Sequence, residues 1–263
     1  MKRLSIIFSF CIILILTSCK TNASSNQENN DDFDAATFVI SSYEGGGMIP
    51  VDEKVLISKE ESHWIYNRYG KETVISWNTS EEELKTLYQF FKKHNYSKIE
   101  SRSEGEVFDR GGLTINIEMS GTETEINNSG SYFISEKWMD DYKAIKKKLN
   151  DFVNTKIYEN KLRVAMSTTV NVQEAIDLYE ISVFVDEEKG LDTESNEINP
   201  APTFQVFEGW NKINIRAFYR DSTGAYSGKV SYQQDQIFLK ATKNTQSLVL
   251  DYVNGKFVVE FKD

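Results

Sequence analysis

The chain has 263 residues and a formal net charge of −10, because 40 Asp and Glu residues outnumber 30 Lys and Arg residues. This acidic balance excludes the basic footprint of a nucleic-acid-binding protein, so no nucleic-acid partner is predicted. Hydrophobic residues make up 40% of the sequence and aromatic residues 13%, which supplies a core and excludes a disordered chain.

The first residues predict a secretory signal. Lys2 and Arg3 precede an apolar segment at 6–16 that is far shorter than the roughly 20 residues of a spanning helix. The sequence Leu-Thr-Ser-Cys at 16–19 resembles the lipobox of bacterial lipoproteins, in which a signal peptidase cleaves just before a lipid-modified cysteine. An ordinary signal peptide with an incidental Cys19 is the alternative.

The lipobox resemblance implies that residues 1–18 are removed and that acyl chains on Cys19 tether the protein to a membrane outside the cytoplasm. Each buried CH₂ contributes about 0.8 kcal/mol, so two or more acyl chains hold a protein firmly. Lys20 rather than Asp follows the cysteine, which resembles lipoproteins sorted to the outer membrane in cells that have one. Because Cys11 lies in the signal, no thiol remains for a disulfide, a metal centre or a nucleophile.

Residues 19–35 are predicted to be a flexible tether. This stretch is rich in Thr, Asn, Ser, Gln, Glu and Asp and has no hydrophobic periodicity. Such a composition buries too little apolar surface to offset the entropy cost of ordering the chain. The folded body is therefore expected to begin near Ala36.

The region 36–154 is predicted to be an α+β domain, with an antiparallel sheet and two helices. The predicted strands are 37–43, 54–58, 63–69, 72–77, a segment through Leu113, Ile115 and Ile117, and 122–126. The first helix is expected to begin after Ser80, which fits a capping box with Glu83, and to end near His94. Apolar residues at alternating spacings of four and three predict a second helix over 135–152, with Trp138 in the core.

The region 158–263 is predicted to be an all-β sandwich. The predicted strands are 178–186, 203–207, 212–219, 230–232, 236–241, 248–253 and 256–261. The last two form the clearest pair, because Asn254 and Gly255 fit a two-residue type I′ turn. That turn sets three pairs opposite one another: Tyr252 and Phe257, Leu250 and Val259, and Leu248 and Phe261.

A family resemblance supports the same prediction for the C-terminal region. The run Gly-Trp-Asn-Lys-Ile-Asn-Ile-Arg-Ala at 209–217, followed by Asp-Ser-Thr-Gly at 221–224, is similar to the late strands of bacterial immunoglobulin-like extracellular domains. The resemblance covers about sixteen residues and implies an immunoglobulin-like sandwich. A transthyretin-like or another sandwich is the alternative.

No catalytic residue, metal site or cofactor is predicted, because nucleophile-elbow, zinc and phosphate-loop motifs are all missing. Asp109 and Arg110 are candidate binding residues, since the two glycines that follow them allow close backbone approach; a hairpin lead-in is the simpler alternative. Trp210, just before a predicted strand, is the candidate aromatic for a glycan. His63 is predicted to be a strand residue and His94 a cation at a helix end.

Two functions from different classes remain. The first is a non-enzymatic binding or interaction module of the cell envelope, which presents an apolar or aromatic patch to a protein or a glycan. The second is a lipid-anchored hydrolase, with a carboxylate pair drawn from Glu104, Glu106 and Asp109. The hydrolase predicts a deep cleft in which Glu44 converges with Glu106 and Asp109 and the carboxylates have split pKa values. A solvated acidic loop is the alternative for these carboxylates.

Calcium is a further alternative for the acidic segment near residue 190, which lacks the spacing of an EF-hand loop. Its oxygen ligands would be Asp186, Glu187, Glu188, Asp192 and Glu194.

Overall fold

The computed structural model describes residues 33–46, 51–105, 107, 110–172, 179–186, 188–192, 203–220 and 226–263. The chain is mostly β structure arranged in several antiparallel sheets, and Asp34–Asp263 form one compact unit. The predicted signal at 1–18, Cys19, most of the tether and the Asp-Ser-Thr-Gly segment at 221–224 lie outside the described residues. In the part of the chain that is described, no helix is both long and apolar enough to cross a membrane.

The largest sheet has six antiparallel strands in the order β4-β3-β2-β1-β6-β7. The strands are β1 (Val39–Gly45), β2 (Val51–Ile57), β3 (Ser62–Arg68), β4 (Lys71–Trp77), β6 (Gly112–Met119) and β7 (Thr122–Asn128). A separate short pair is formed by β5 (Ser101–Ser103) and β8 (Tyr132–Ile134). The predicted strands of this region are confirmed, with ends shifted by up to three residues.

Alternation of side chains along these strands gives the sheet one buried face and one open face. Ile40, Ile57 and Ile115 lie on the buried face and have no exposed surface. Tyr43 and Val74, which have the opposite phase, are each 44% exposed. Burying a large aliphatic side chain stabilises a fold by roughly 1.5–3 kcal/mol, so this face fixes the sheet register.

Helix α1 (Glu81–Lys93) matches the sequence prediction. Ser80 Oγ accepts a hydrogen bond from the Glu83 backbone N–H, and the Glu83 carboxylate accepts one from the Ser80 N–H at 2.8 Å. The helix buries its apolar stripe of Leu84, Leu87, Tyr88 and Phe91. It ends at His94.

Helix α2 (Met139–Glu159) differs from the prediction of a helix over 135–152. Residues Glu136–Trp138 instead form a 3₁₀ turn, and a second such turn lies at Tyr96–Lys98. The helix also continues seven residues beyond the predicted end. The reason is that Val153 and Ile157 extend the buried stripe of Leu149 at spacings of four.

Two four-stranded sheets follow, in the orders β11-β10-β13-β14 and β12-β9-β15-β16. Their strands are β9 (Leu162–Thr168), β10 (Tyr179–Val185), β11 (Glu188–Asp192), β12 (Thr203–Val206), β13 (Gly209–Arg220), β14 (Tyr226–Ala241), β15 (Ser247–Val253) and β16 (Lys256–Lys262). All described pairings are antiparallel except β9 with β15. We call these two sheets the C-terminal sheets.

The C-terminal sheets share one core. Val164 on β9, Val183 on β10, Ile215 on β13 and Leu250 on β15 belong to a single cluster of buried side chains. The sequence prediction missed β9 and β11, and it split β14 into two segments. Short strands without strict alternation, such as β11, give little periodicity from which to predict them.

The last hairpin is confirmed in register as well as in position. Leu248 pairs with Phe261, Leu250 with Val259, and Tyr252 with Phe257. Asn254 and Gly255 have φ angles of 52° and 78°. Both are positive, as a type I′ turn requires, because that turn matches the right-handed twist of the strands.

Candidate functional site

The candidate site is a cleft of about 330 Å³ at one end of the six-stranded sheet. We call it the sheet-end cleft, and its lining residues are Glu44, Gly45, Gly46, Val51, Glu53, Tyr66, Gly111 and Gly112. It lies where β1, β2, β3 and β6 end, so its floor is built from strand termini. The described residues of the cleft therefore combine glycine backbone, two carboxylates and one aromatic ring.

Glycine allows two chain segments to meet at this cleft. A Cβ on Gly111 would stand 2.8 Å from the Gly46 carbonyl oxygen and 3.0 Å from that of Gly45. Gly46 has a φ of +87°, which other residues rarely adopt. Gly111 thus lets the backbone of the two segments approach closely.

Glu44 on β1 and Glu53 on β2 are direct cross-strand partners. Their Cβ atoms are therefore roughly 4.5–5.5 Å apart, and like charges in this arrangement destabilise a sheet. Both residues have the phase of the buried face, because Glu44 follows Ile40 in that phase and Glu53 precedes Val55. Two carboxylates thus stand where the sheet pattern calls for apolar side chains.

Burial raises the pKa of Glu53 above its ordinary value. The nearby Trp64 indole N–H and the positive charge of Lys146 oppose this shift, and the negative charge of Glu44 adds to it. The net direction is upward, so the Glu53 carboxylate is harder to ionise than an exposed glutamate. A carboxyl group with a perturbed pKa in a cleft is a common feature of functional sites.

Lys146 on α2 brings one positive charge to the cleft. Its Nζ lies 2.8 Å from Glu44 Oε1, in an ion pair whose side chains are 34% and 42% exposed. Lys146 therefore offsets one of the two facing carboxylates. The pair with its lysine keeps a net negative charge when both carboxylates are ionised.

Tyr66 forms the aromatic wall of the cleft. It is the cross-strand partner of Glu53, and its ring stacks on Trp64 with centroids 5.1 Å apart and planes 9° apart. Trp64 in turn packs on Phe207, which lies in the turn between β12 and β13, with ring centroids 5.4 Å apart. The wall is thus supported from behind by aromatic packing.

Arg110, a predicted binding residue, holds neighbouring backbone in place. Its Nη1 donates to the carbonyl oxygens of Gly130 and Tyr132 at 2.9 and 2.7 Å, and its Nη2 donates to Asn128 Oδ1 at 2.6 Å. The guanidinium also lies 4.0 Å from the centroid of the Phe133 ring. Arg110 therefore fixes the turn after β7.

Asp109 and Glu106 lie outside the described residues, so the predicted convergence with Glu44 stays a prediction. Glu104 is described and is exposed. The partner that the structure does bring to Glu44 is Glu53. Sequence reasoning missed Glu53, Tyr66 and Lys146. The available signal was a charged residue at an inward phase of a strand.

Trp210 is half-buried and is the second residue of β13. Its backbone N–H donates to Thr73 Oγ1 at 3.1 Å, and the same hydroxyl donates to the Trp210 carbonyl oxygen at 2.9 Å. The Lys71 ammonium lies 4.4 Å from the centroid of its ring. Trp210 thus joins β4 to the C-terminal sheets.

The remaining predicted side chains are placed away from the sheet-end cleft. His94 caps α1, with Nδ1 2.9 Å from Asp141 Oδ1. His63 lies on β3 and lines a wider, polar depression of about 650 Å³. Trp138 is half-buried and precedes α2 rather than lying within it.

Asp186 accepts a hydrogen bond from the Lys212 N–H at 3.0 Å, while Glu188 and Asp192 lie on β11. Glu187 and Glu194, the other proposed calcium ligands, lie outside the described residues. Within the described part of the chain, no group of three or more His, Cys, Asp or Glu side chains could hold a metal ion.

Comparisons with known proteins give no match. No protein-family model, no curated protein and no solved structure matches this chain.

Proposed function

We propose that this chain is a membrane-tethered, extracytoplasmic lipoprotein that acts as a non-enzymatic binding module of the cell envelope. Its anchor is Cys19, and its ligand carries a cationic ammonium group that the sheet-end cleft receives. The folded body consists of an α+β region and a C-terminal immunoglobulin-like sandwich. The shared core of the C-terminal sheets supports the sandwich, and the lipobox resemblance supports the anchor.

The Glu44/Glu53 pair is the observation that carries the binding proposal. Two facing carboxylates in a half-buried cleft have a net negative charge even with Lys146 present. A ligand ammonium group would relieve their repulsion and gain charge-assisted hydrogen bonds. Tyr66 adds an aromatic side chain to the lining of the cleft, beside the two carboxylates. An amino group of an envelope protein or of a glycan has the required chemistry.

Replacing Cys19 with serine is expected to release the protein from the membrane fraction and to abolish incorporation of labelled fatty acid. Serine has no thiol that could form the thioether, so the acyl chains that would hold the protein at the membrane are lost. Cells are grown with radiolabelled palmitate, fractionated and blotted for the protein. If the serine variant sediments with membranes as the parent does, or if the parent carries no label, the anchor proposal fails.

The double substitution Glu44→Gln and Glu53→Gln is expected to weaken binding of a trilysine peptide about tenfold, which corresponds to 1.4 kcal/mol. Calorimetric titration at pH 7 measures the dissociation constant. Burial penalises the charged form of Glu53, and like charges directly opposite each other destabilise a sheet. The double variant is therefore expected to unfold at no lower urea concentration than the parent, so lost binding reflects lost charge.

A matched control exists in the same sheet. Glu118 and Glu123 are also direct cross-strand partners, but both are exposed. Their double substitution to Gln removes the same charge from an acidic protein and is expected to leave trilysine affinity within about twofold, because exposed charges contribute little. Equal losses in the two double variants would mean non-specific attraction and would contradict a specific cleft.

Binding is also expected to weaken as the pH falls from 7 to 5. The pKa of Glu53 is raised by burial, so this carboxylate gains a proton, and loses its charge, at a higher pH than an ordinary glutamate. The lysine side chains of the probe stay charged throughout this range. In the Glu44→Gln, Glu53→Gln variant the pH dependence is expected to disappear.

A lipid-anchored hydrolase is the second candidate function. It is favoured by the raised pKa of Glu53 directly opposite Glu44, because glycosidases use a protonated and an ionised carboxyl together. Incubation with soluble peptidoglycan fragments, followed by measurement of new reducing ends, separates the two candidates. The binding proposal expects no release by the parent protein, whereas a hydrolase would release ends and lose this activity in Glu53→Gln.

A further inference from the structure

We infer that Arg68 is a positioning residue for the sheet-end cleft and that Asp186, the residue directly after β10, holds it in place. Arg68 ends β3, two residues beyond Tyr66 on the same strand face. Its Nη2 and Nε donate to Tyr66 Oη at 2.6 and 3.0 Å. Its guanidinium also lies 4.9 Å from the centroid of the tyrosine ring.

The other side of Arg68 is held by the C-terminal sheets. Nη1 lies 3.4 Å from Asp186 Oδ1, and the two side chains are only 18% and 13% exposed. The same carboxylate oxygen accepts the Lys212 backbone N–H at 3.0 Å. Arg68 is thus held at one end by a carboxylate fixed to β13 and at the other by the Tyr66 hydroxyl.

These contacts make the aromatic wall of the cleft depend on both parts of the fold. Tyr66 is held at its hydroxyl by Arg68 and across its ring by Trp64, which itself packs on Phe207. An immobilised aromatic ring binds a ligand without losing rotamer freedom, whereas a mobile ring must lose that freedom on binding. The inference rests on the proposed binding function of the cleft, which it extends to the C-terminal sheets.

The charge of Arg68 allows a positioning role to be distinguished from a simple electrostatic effect. Removing a positive side chain beside a cleft that receives a cation would strengthen binding by charge alone. A positioning role predicts the opposite sign. Arg68→Ala is therefore expected to weaken binding of the trilysine peptide about fivefold, because the tyrosine wall is no longer fixed. Asp186→Asn is expected to weaken trilysine binding as well. Arg68→Lys keeps the positive charge but lacks the forked donors of arginine, so its trilysine affinity is expected to stay close to that of Arg68→Ala.

Arg102 supplies the matched control. Its side chain is 68% exposed and pairs with Glu100 on the surface. Arg102→Ala removes the same charge and is expected to leave trilysine affinity unchanged within about twofold. If Arg68→Ala binds trilysine as well as or better than the parent does, while Arg102→Ala is unchanged, the positioning role is wrong.

A second measurement does not depend on any ligand. The protein is labelled with 3-fluorotyrosine, and the Tyr66 fluorine resonance is assigned by its loss in Tyr66→Phe. In the parent this resonance is expected to report a fixed ring, and in Arg68→Ala and Asp186→Asn an averaged, mobile one. Failure of trilysine to bind the parent would overturn the binding function alone, whereas an unchanged Tyr66 resonance in both variants would overturn the positioning role alone.

Discussion

Replacement of Asn211 with alanine is expected to lower the free energy of unfolding by about 3 kcal/mol. Asn211 is fully buried, and its side chain makes three hydrogen bonds to the turn between β12 and β13. Oδ1 accepts the Phe207 N–H at 2.8 Å, and Nδ2 donates to the carbonyl oxygens of Phe207 and Gly209 at 3.0 Å each. Alanine would leave these three backbone groups without those partners inside the protein.

Urea unfolding monitored by circular dichroism measures this loss. Asn150→Ala is the control, because Asn150 is exposed on α2 and alanine is the better helix former. Asn211→Asp retains an acceptor for the Phe207 N–H but sets a carboxylate against two carbonyl oxygens, so it is expected to destabilise the protein as well. A cost below about 1 kcal/mol for Asn211→Ala would show that the turn does not depend on this side chain.

Asn211 also explains part of the sequence at 209–217, which resembles bacterial immunoglobulin-like domains. Gly209 has a φ of +126°, so the turn needs glycine there, and Asn211 then closes the turn with its own side chain. Ile213, Ile215 and Ala217 follow at alternate positions, and each is fully buried. The run is thus a turn signal followed by the inward face of one strand, and both features follow from local physics.

Local signals explain which elements the sequence could predict. The Ser80 capping box and the Asn254-Gly255 turn act within a few residues, and the structure has both where the sequence predicts them. The prediction of where α2 ends was wrong for a different reason. Helix propensity beyond residue 152 is unremarkable, and the helix continues because Val153 and Ile157 find a core to pack against.

The candidate site was less predictable, because its residues come together only in the sheet. Glu44 and Glu53 are nine positions apart and face each other through the β1–β2 register, while Lys146 arrives from a helix about one hundred residues later. The sequence alone shows only that an acidic residue occupies a strand position whose side chain points to the buried face. The identity of its partner depends on pairings that periodicity does not specify.

Replacement of Gly112 with alanine is expected to cost about 3 kcal/mol, the upper end of the usual range for overpacking. A Cβ at this position would overlap the carbonyl oxygen of Asn128 and stand 2.7 Å from Ser129 Cα. Both obstacles are backbone, so no side-chain rotation relieves the clash. Gly112 pairs with Gly45 on one side, and the next residue, Leu113, pairs with Asn128 on the other. Separating the strands would therefore break pairing at the mouth of the sheet-end cleft.

Gly121→Ala is the matched control for this prediction. Gly121 lies in the turn between β6 and β7 with a φ of +77°, and a Cβ there would meet nothing within 4 Å. Its substitution is expected to cost only the left-handed strain of about 1–2 kcal/mol. Urea unfolding measures both variants, and trilysine titration is expected to show weaker binding for Gly112→Ala alone. Equal stability losses would mean that β6 and β7 can separate at little cost, so that close backbone approach does not shape the cleft.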